Sequence, residues 1–509
     1  MAKTTTTTDN LKASQFAFIN ITNPKDLTRA DNQRTIRRHA WDAGRPHGRR
    51  RRRNYTFDLS SFYLPAVNSA SIVPVQQVDN DREHQKHETS KIGFKEAEMV
   101  PHDQYPPIDY IRPLGAGRGL DPLAPFPVPS NPRIVQLIDF AQKDSKQMRV
   151  IWISVGMSDR SAFQLSLASS AFFMARQNDP QVQENTESLG YYTAALSSVN
   201  GRLLDPTEST SEGLIGAILG FCCYDCTVRQ NLPRLQIHLD GLERVVQSRG
   251  GIETLRSAPL RIMLTWLDVL GSMLLDSHPR FPVPKEFVRI PSVMQQSSRL
   301  AANIKMWNDM FPSFKDISNV LQSVASLSSE INNAAANPQF WGDESFIGVM
   351  VNPVTHQLLL LPHLDLPERT ESTFDQGIFI REIIRLASMV FLGLLRRQFD
   401  TQPDGIPKYG RQLTHLLKTY SFNCYPFTNL YLWALIISTV IGEDRGALVA
   451  RIVEVMSDIG VVDWDNALAM IKEIAWVDEA AAPVIHDVGV EVIFHMQIVM
   501  ERTHGVKHV

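Results

Sequence analysis

The chain has 509 residues, 43% hydrophobic and 21% charged, with a net charge of −3. That length exceeds one ordinary domain and is ample for a large buried core, and the composition excludes a collagen, a disulfide scaffold and a wholly disordered chain. The near-neutral total hides an asymmetry: residues 1–54 carry 13 Lys and Arg against 4 Asp and Glu, a net of +9, so the other 455 residues carry a net of −12.

Residues 1–54 read as a basic arm. Its start, Met1 to Asn10, is polar and Thr-rich and lacks the apolar centre of a signal peptide. Asp9, Asp26, Asp31 and Asp42 make the arm a poor mitochondrial presequence, since presequences are poor in acidic residues. The alternation in Phe16-Ala-Phe-Ile-Asn-Ile21 predicts a short extended segment. Asn23 and Pro24 then suit the cap and first position of a polar helix running to about Trp41, with Arg34, Arg37, Arg38 and Trp41 on neighbouring turns. Gly44, Pro46 and Gly48 end it, and five consecutive arginines, Arg49 to Arg53, follow.

Residues 55–132 read as a linker, holding 11 of the chain's 30 prolines. Pro106-Pro107 and the run Pro122, Pro125, Pro127, Pro129 favour extended polyproline-like backbone. Tyr105, Ile108 and Phe126 are candidates for a strap laid along the body.

From residue 133 to 509 the pattern is all-α: apolar residues recur at helical spacing between short breaks. Leu235, Leu239, Leu242 and Val246 form one stripe, ended at Arg249-Gly250-Gly251 by a glycine stop. After Pro259 a second stripe, Leu260, Leu264, Leu267, Leu270 and Leu274, runs toward Pro279. Further helices are predicted over 161–177, 211–229, 374–399, 430–441, 445–460 and 464–476. Alternating strand patterns are almost absent. The leading membrane candidate is the uncharged stretch Ser421 to Gly442, but only Leu430 to Ile441 is densely apolar, too short for a span. The expectation is a soluble protein with no membrane partner.

Several patterns invite chemistry and are better read as structure. Gly115, Gly117 and Gly119 are followed by Asp121-Pro122, so no helix N-terminus is predicted there to hold a phosphate. Cys223 and Cys226 have C-x-x-C spacing beside Cys222, yet zinc needs four ligands and the chain offers no second cysteine pair, only Cys424 and scattered histidines. Their stretch reads as an apolar helix, so buried structural cysteines are expected, in keeping with a reducing compartment. His84 and His87 sit in a charged linker segment and read as solvated. No catalytic spacing of the G-x-S-x-G or H-E-x-x-H kind is present, and no catalytic, cofactor-binding or metal-binding residue is assigned; the chain is expected not to be an enzyme.

The arginine cluster is the one strong chemical feature. Arg45 and Arg49, Arg50, Arg51, Arg52 and Arg53 repel one another and stay solvated unless a polyanion or acidic groove neutralises them. They are assigned as a nuclear-import or phosphate-contacting segment, import first, with an import receptor as partner and nucleic-acid contact only non-specific. The expected location is the nucleus.

Ile19-Asn-Ile-Thr-Asn-Pro24, Gln33-Arg-Thr-Ile-Arg-Arg-His39 with Gly44 and the arginine run, Leu114-Gly-Ala-Gly-Arg118 with Asp121-Pro122, His238-Leu-Asp-Gly-Leu-Glu-Arg244 with Arg249-Gly-Gly251, and Glu382 to Arg397 occur in that order. Together they resemble fungal proteins with a fungal-specific transcription factor domain. The resemblance implies an all-α regulatory domain, which in complete factors follows a six-cysteine zinc cluster that reads DNA. No cysteine precedes Cys222 here, so no zinc-binding residue carries over. The expected function is a fungal transcriptional regulator acting through protein partners, with a second copy of itself among the candidates. The alternative is a metabolite sensor, with Phe163, Phe172, Phe173 and Phe391 as candidates to line a pocket between helices.

Overall fold

The computed structural model of the chain describes residues 126–505, except for 145–148, 288–296, 338–339, 343–345, 367–371, 400–404, 420–423, 440–441 and 443. The arm and nearly all of the linker, with the elements expected there, lie outside the described residues. Among the described residues there is no β-strand, and the fold is all-α.

The first half runs α1 (Pro132–Asp144), α2 (Arg149–Ser158), α3 (Arg160–Asn178), α4 (Thr186–Leu203), α5 (Glu212–Thr227), α6 (Leu232–Arg249) and α7 (Ala258–Leu275). The starts are written in side chains that accept otherwise orphaned backbone N–H groups: Asp159 caps α3, Asn185 caps α4, Ser211 caps α5, Asn231 caps α6 and Ser257 caps α7. Helix α6 ends as its glycines demand, with Gly250 left-handed at φ 107° and its N–H returned to Gln247 and Val246. Its predicted stripe, Leu235, Leu239, Leu242 and Val246, is fully buried.

The second half runs α8 (Ser298–Met310), α9 (Lys315–Ala334), a π-helical turn (Ile347–Val351) leading into α10 (Asn352–Leu359), α11 (Thr373–Gln398), α12 (Ile406–Thr419), α13 (Thr428–Ser438), α14 (Arg445–Asp458), α15 (Trp464–Lys472) and α16 (Asp478–Gly505). Helix α11 starts at a capping box, where Ser372 and Asp375 each satisfy the other's backbone.

Three hydrophobic cores organise these helices. In a small one, Ile134, Leu137 and Ile138 of α1 meet Phe163, Leu167 and Ala171 of α3, and Phe126 stacks on Phe163 at 5.5 Å. Of the three strap candidates Phe126 therefore packs on the body, while Tyr105 and Ile108 lie outside the described residues. A second core collects the inward faces of α2 to α7. The third and largest spans α8 to α16 around Trp307, Phe391 and Trp433. Helix α7 belongs to two of them. Leu260, Leu264, Leu267, Leu270 and Leu274 face the first half, while Val269 and Met273, one turn apart, enter the core of the second.

This dual role explains why α7 is apolar nearly all round. By length and composition it could cross a membrane, whereas 78% of it is buried inside the protein. The stretch at 421–442 contributes only the 11-residue α13, so the helix that most resembles a span is α7 and its apolarity goes to two cores.

The start of helix α12 meets the last turn of α7. Gly405, just before it, adopts φ 79°, and a side chain there would start 2.6 Å from the Met273 methyl. The Gly405→Ala variant is expected to lose about 1–2 kcal/mol through left-handed strain and this clash, read as a lower urea midpoint at unchanged slope.

Candidate functional site

Two groups of charged side chains are buried in the fold, and both sit on segments that the sequence marks out. The first is built by His238 to Gly251 on α6. His238 Nε2 lies 3.0 Å from the carboxylate of Asp225, which α5 carries into the core with no exposure. Arg234, one turn earlier, approaches the same carboxylate at 3.4 Å, donates to the Tyr192 hydroxyl and lies over its ring. The His238 ring stacks on Phe221 at 5.2 Å, so the aromatic face as well as the charge is used. Ser188 of α4 completes the layer between the Ala168 carbonyl and the Tyr224 hydroxyl. Burial, with the Asp225 charge nearby, pushes the Tyr192 phenol well above its usual range.

The same helix reaches further. Asp240, at 2.8 Å, and Glu243, at 3.9 Å, hold the guanidinium of Arg280, which follows α7. The backbone N–H groups of Arg280 and Phe281 donate to the buried carboxylate of Asp268 on α7. Burial raises the Asp268 carboxyl to about 6, with those two donors and Arg280 pulling the other way. At the end of α6, Arg249 binds the Thr210 carbonyl and Glu212. Glu212 in turn accepts from the backbone of Arg256 and Ser257 where α7 begins.

The second group lies on α11 and its neighbours, in a seam between the halves. Arg381, Arg385 and Arg396 are all nearly fully buried. Arg381 pairs with Asp316 and donates to the Pro362 carbonyl; Arg385 forks onto Glu382 at 2.6 and 2.8 Å; Arg396 reaches Asn352 and Thr355 on α10. Beside them Lys408 of α12 donates to the Met273 carbonyl at 2.6 Å and lies 3.4 Å from Asp276, with the Tyr409 hydroxyl on the same carbonyl. A cation thus caps the carbonyl end of α7, where the helix dipole favours it. Burial lowers the Lys408 ammonium despite Asp276, and it lifts the Tyr409 phenol above its usual range. The mouth of the seam is exposed at Asp276, His278 and His363, the two rings 6.0 Å apart. Burial and then Arg385 lower the His363 imidazole. His278 Nδ1 donates to the Leu359 carbonyl and His356 Nε2 to the Phe281 carbonyl, each at 2.7 Å, tying the halves together. Each of the buried cations has a carboxylate, carbonyl or amide partner, so the seam is wired shut by the protein's own groups.

The profile of the fungal specific transcription factor domain matches residues 123–441. The chain belongs to this family. No curated protein and no solved structure matches it. The matched stretch begins just before Phe126, contains both charged groups and ends after α13, so α14 to α16 extend the family's region into the same core.

Within the fungal-specific transcription factor domain the two resembling segments, His238 to Gly251 and Glu382 to Arg397, act as fasteners between helices. Their signal in the sequence was the charge placed inside apolar stripes; the partners Asp225, Asp268, Arg280, Asp316 and Lys408 are distant in the chain and carried no local pattern of their own. The arginines assigned to import or phosphate contact, Arg45 and Arg49 to Arg53, lie outside the described residues, as do His84, His87 and the glycines at 115–119. Cys222, Cys223 and Cys226 are on α5 and Cys424 precedes α13, and all four are buried free thiols. Burial pushes Cys222 and Cys223 well up and Cys226 and Cys424 to about 12, which leaves them protonated and unreactive. Among the described residues no three His, Cys, Asp or Glu side chains gather to hold a metal, so these cysteines do not fit the zinc cluster of complete factors. The four phenylalanines considered for a pocket do not gather in one place: Phe163 is in the small core, Phe172 and its edge-on neighbour Phe173 belong to the second, and Phe391 is in the third.

Two outcomes follow from the fasteners. Asp225→Ala leaves Arg234 without its carboxylate and removes the acceptor facing His238, and is expected to cost about 3–5 kcal/mol, most of it recovered when all three are replaced in Asp225→Leu/Arg234→Leu/His238→Leu; chemical unfolding of the set checks this. Asp268 has a folded pKa above its unfolded one, so its contribution is full below about pH 4 and is lost as pH rises through about 6. The loss is on the order of 2–3 kcal/mol, and Asp268→Asn should flatten the urea midpoint between pH 4 and 7 relative to the parent.

Proposed function

We propose that this chain is a transcriptional regulator that works in the nucleus through protein partners rather than through a zinc cluster of its own. The family membership over residues 123–441 carries the reading. Two features support the finer part. No cysteine stands ahead of Cys222, and the four present are buried singly or on one helix, so this sequence offers no binuclear zinc module for reading DNA. The arm, net +9, ends in five adjacent arginines suited to the acidic groove of an import receptor, while the net −12 of the remainder disfavours laying the helical domain on a nucleic acid. Contact of Arg45 and Arg49 to Arg53 with phosphates would be salt-sensitive and indifferent to sequence.

The test is a tagged copy expressed in a fungal host beside a variant with Arg49 to Arg53 replaced by alanine. The parent is expected to accumulate in nuclei and to occupy discrete promoters, and the variant to lose both. An unchanged distribution of the variant would refute the import assignment; a nuclear parent without promoter enrichment would refute the regulator.

A further inference from the structure

Helix α16 buries Ala481, Ile485, Val488 and Val492 in the large core and turns a second apolar face outward. On it Val490, Ile493 and Phe494 are 57, 47 and 62% exposed, at the spacing that makes one helical stripe. Other exposed apolar residues, such as Leu204, Ile237 and Val462, stand singly, which is ordinary for a protein surface. The stripe is acidic at its edge: Asp487, exposed, lies one turn before Val490, and Glu491, which also holds Arg445, follows it.

We propose that residues 16–21 of the chain's own arm, Phe16-Ala-Phe-Ile-Asn-Ile21, dock on this face of α16. The segment is the apolar part of an otherwise polar arm, and it is followed at once by Lys25, Arg29 and Arg34, the charges that would meet Asp487 and Glu491. The net +9 of the arm against the net −12 of the remainder gives the encounter its long-range attraction. Size favours a short segment over a second copy of the chain. A stable protein–protein interface takes about 800 Å² from each partner, and three side chains on one helix fall far short of that. A few apolar anchors on a helix face are what a peptide segment needs.

The tether permits it. The 105 residues from Ile21 to Phe126 can span up to about 350 Å at ~3.3 Å per residue, so length does not restrict the arm. A compact body of this length has a radius of gyration of about 21 Å, so the arm can reach any face, and the tether supplies a high effective concentration without further contacts.

Disulfide trapping in the full chain tests the proposal. The four native thiols are buried, so an introduced pair reports alone. Phe18→Cys/Phe494→Cys is compared with Phe18→Cys/Leu204→Cys, whose second site is 86% exposed in the other half of the protein. Docking predicts an intramolecular disulfide, read as a shifted monomer band on a non-reducing gel, forming about tenfold faster in the first pair. Equal rates would mean that the arm only sweeps the surface, and the proposal fails. A concentration-dependent dimer band from the Phe494→Cys single variant would also overturn it, in favour of a second copy on α16. Neither result bears on the import or promoter assignments, which rest on other residues.

Discussion

One helix is asked to serve two cores. Burying a leucine-sized side chain contributes about 1.5–3 kcal/mol, and α7 gives Leu260 to Leu274 to the first half while Val269 and Met273 enter the second. Its ends reach partly exposed margins, and neighbours supply hydrogen-bond partners to the backbone at both. At the start, Glu212 accepts from Arg256 and Ser257; at the end, Lys408 and Tyr409 donate to Met273. The charged residues of the interior are therefore placed where helix ends and loops would otherwise be left unpaired.

That constraint gives a physical meaning to the two segments by which the domain resembles its family. His238, Asp240, Glu243 and Arg249 are spread over one helix, yet between them they hold three different neighbours: Asp225 on α5, Arg280 after α7, and Glu212 ahead of α5's apolar run. The arginines of α11 do likewise for α9, α10 and the loop at Pro362. Buried ion pairs add little net stability compared with a well-packed apolar core, but breaking one is expensive. Their effect is on register: a helix that slips by one residue strands several charges at once.

The partition of labour follows. The helical body is closed around its own charges, and its cysteines are buried and protonated. The apolar outer face of α16 is left outside that closure.

The stripe Leu235 to Val246, the stop at Gly250 and the apolar runs of α7 and α11 were legible because periodicity and caps are local properties of the chain. Helices α1, α2, α4, α8, α9, α10, α12 and α16 were not singled out, although α9 carries a regular local stripe in Ile317, Val320, Leu321, Val324, Leu327 and Ile331; in α4 the buried positions Ser188, Tyr192, Ala195 and Val199 are too mixed to stand out without their tertiary neighbours. The pairing of His238 with Asp225 crosses 13 residues and that of Lys408 with Met273 crosses 135, and nothing in either neighbourhood names the partner. The all-α class, the arginine arm, the absence of any cysteine before Cys222 and the helices that carry their own caps are all written in the sequence, because each depends on residues close together in the chain. Only the folded chain could decide that α7 is shared between cores, that the charged segments fasten helices and that α16 keeps an apolar face outward. Burial and ion pairing join residues far apart in sequence, and folding alone brings them within a few ångströms.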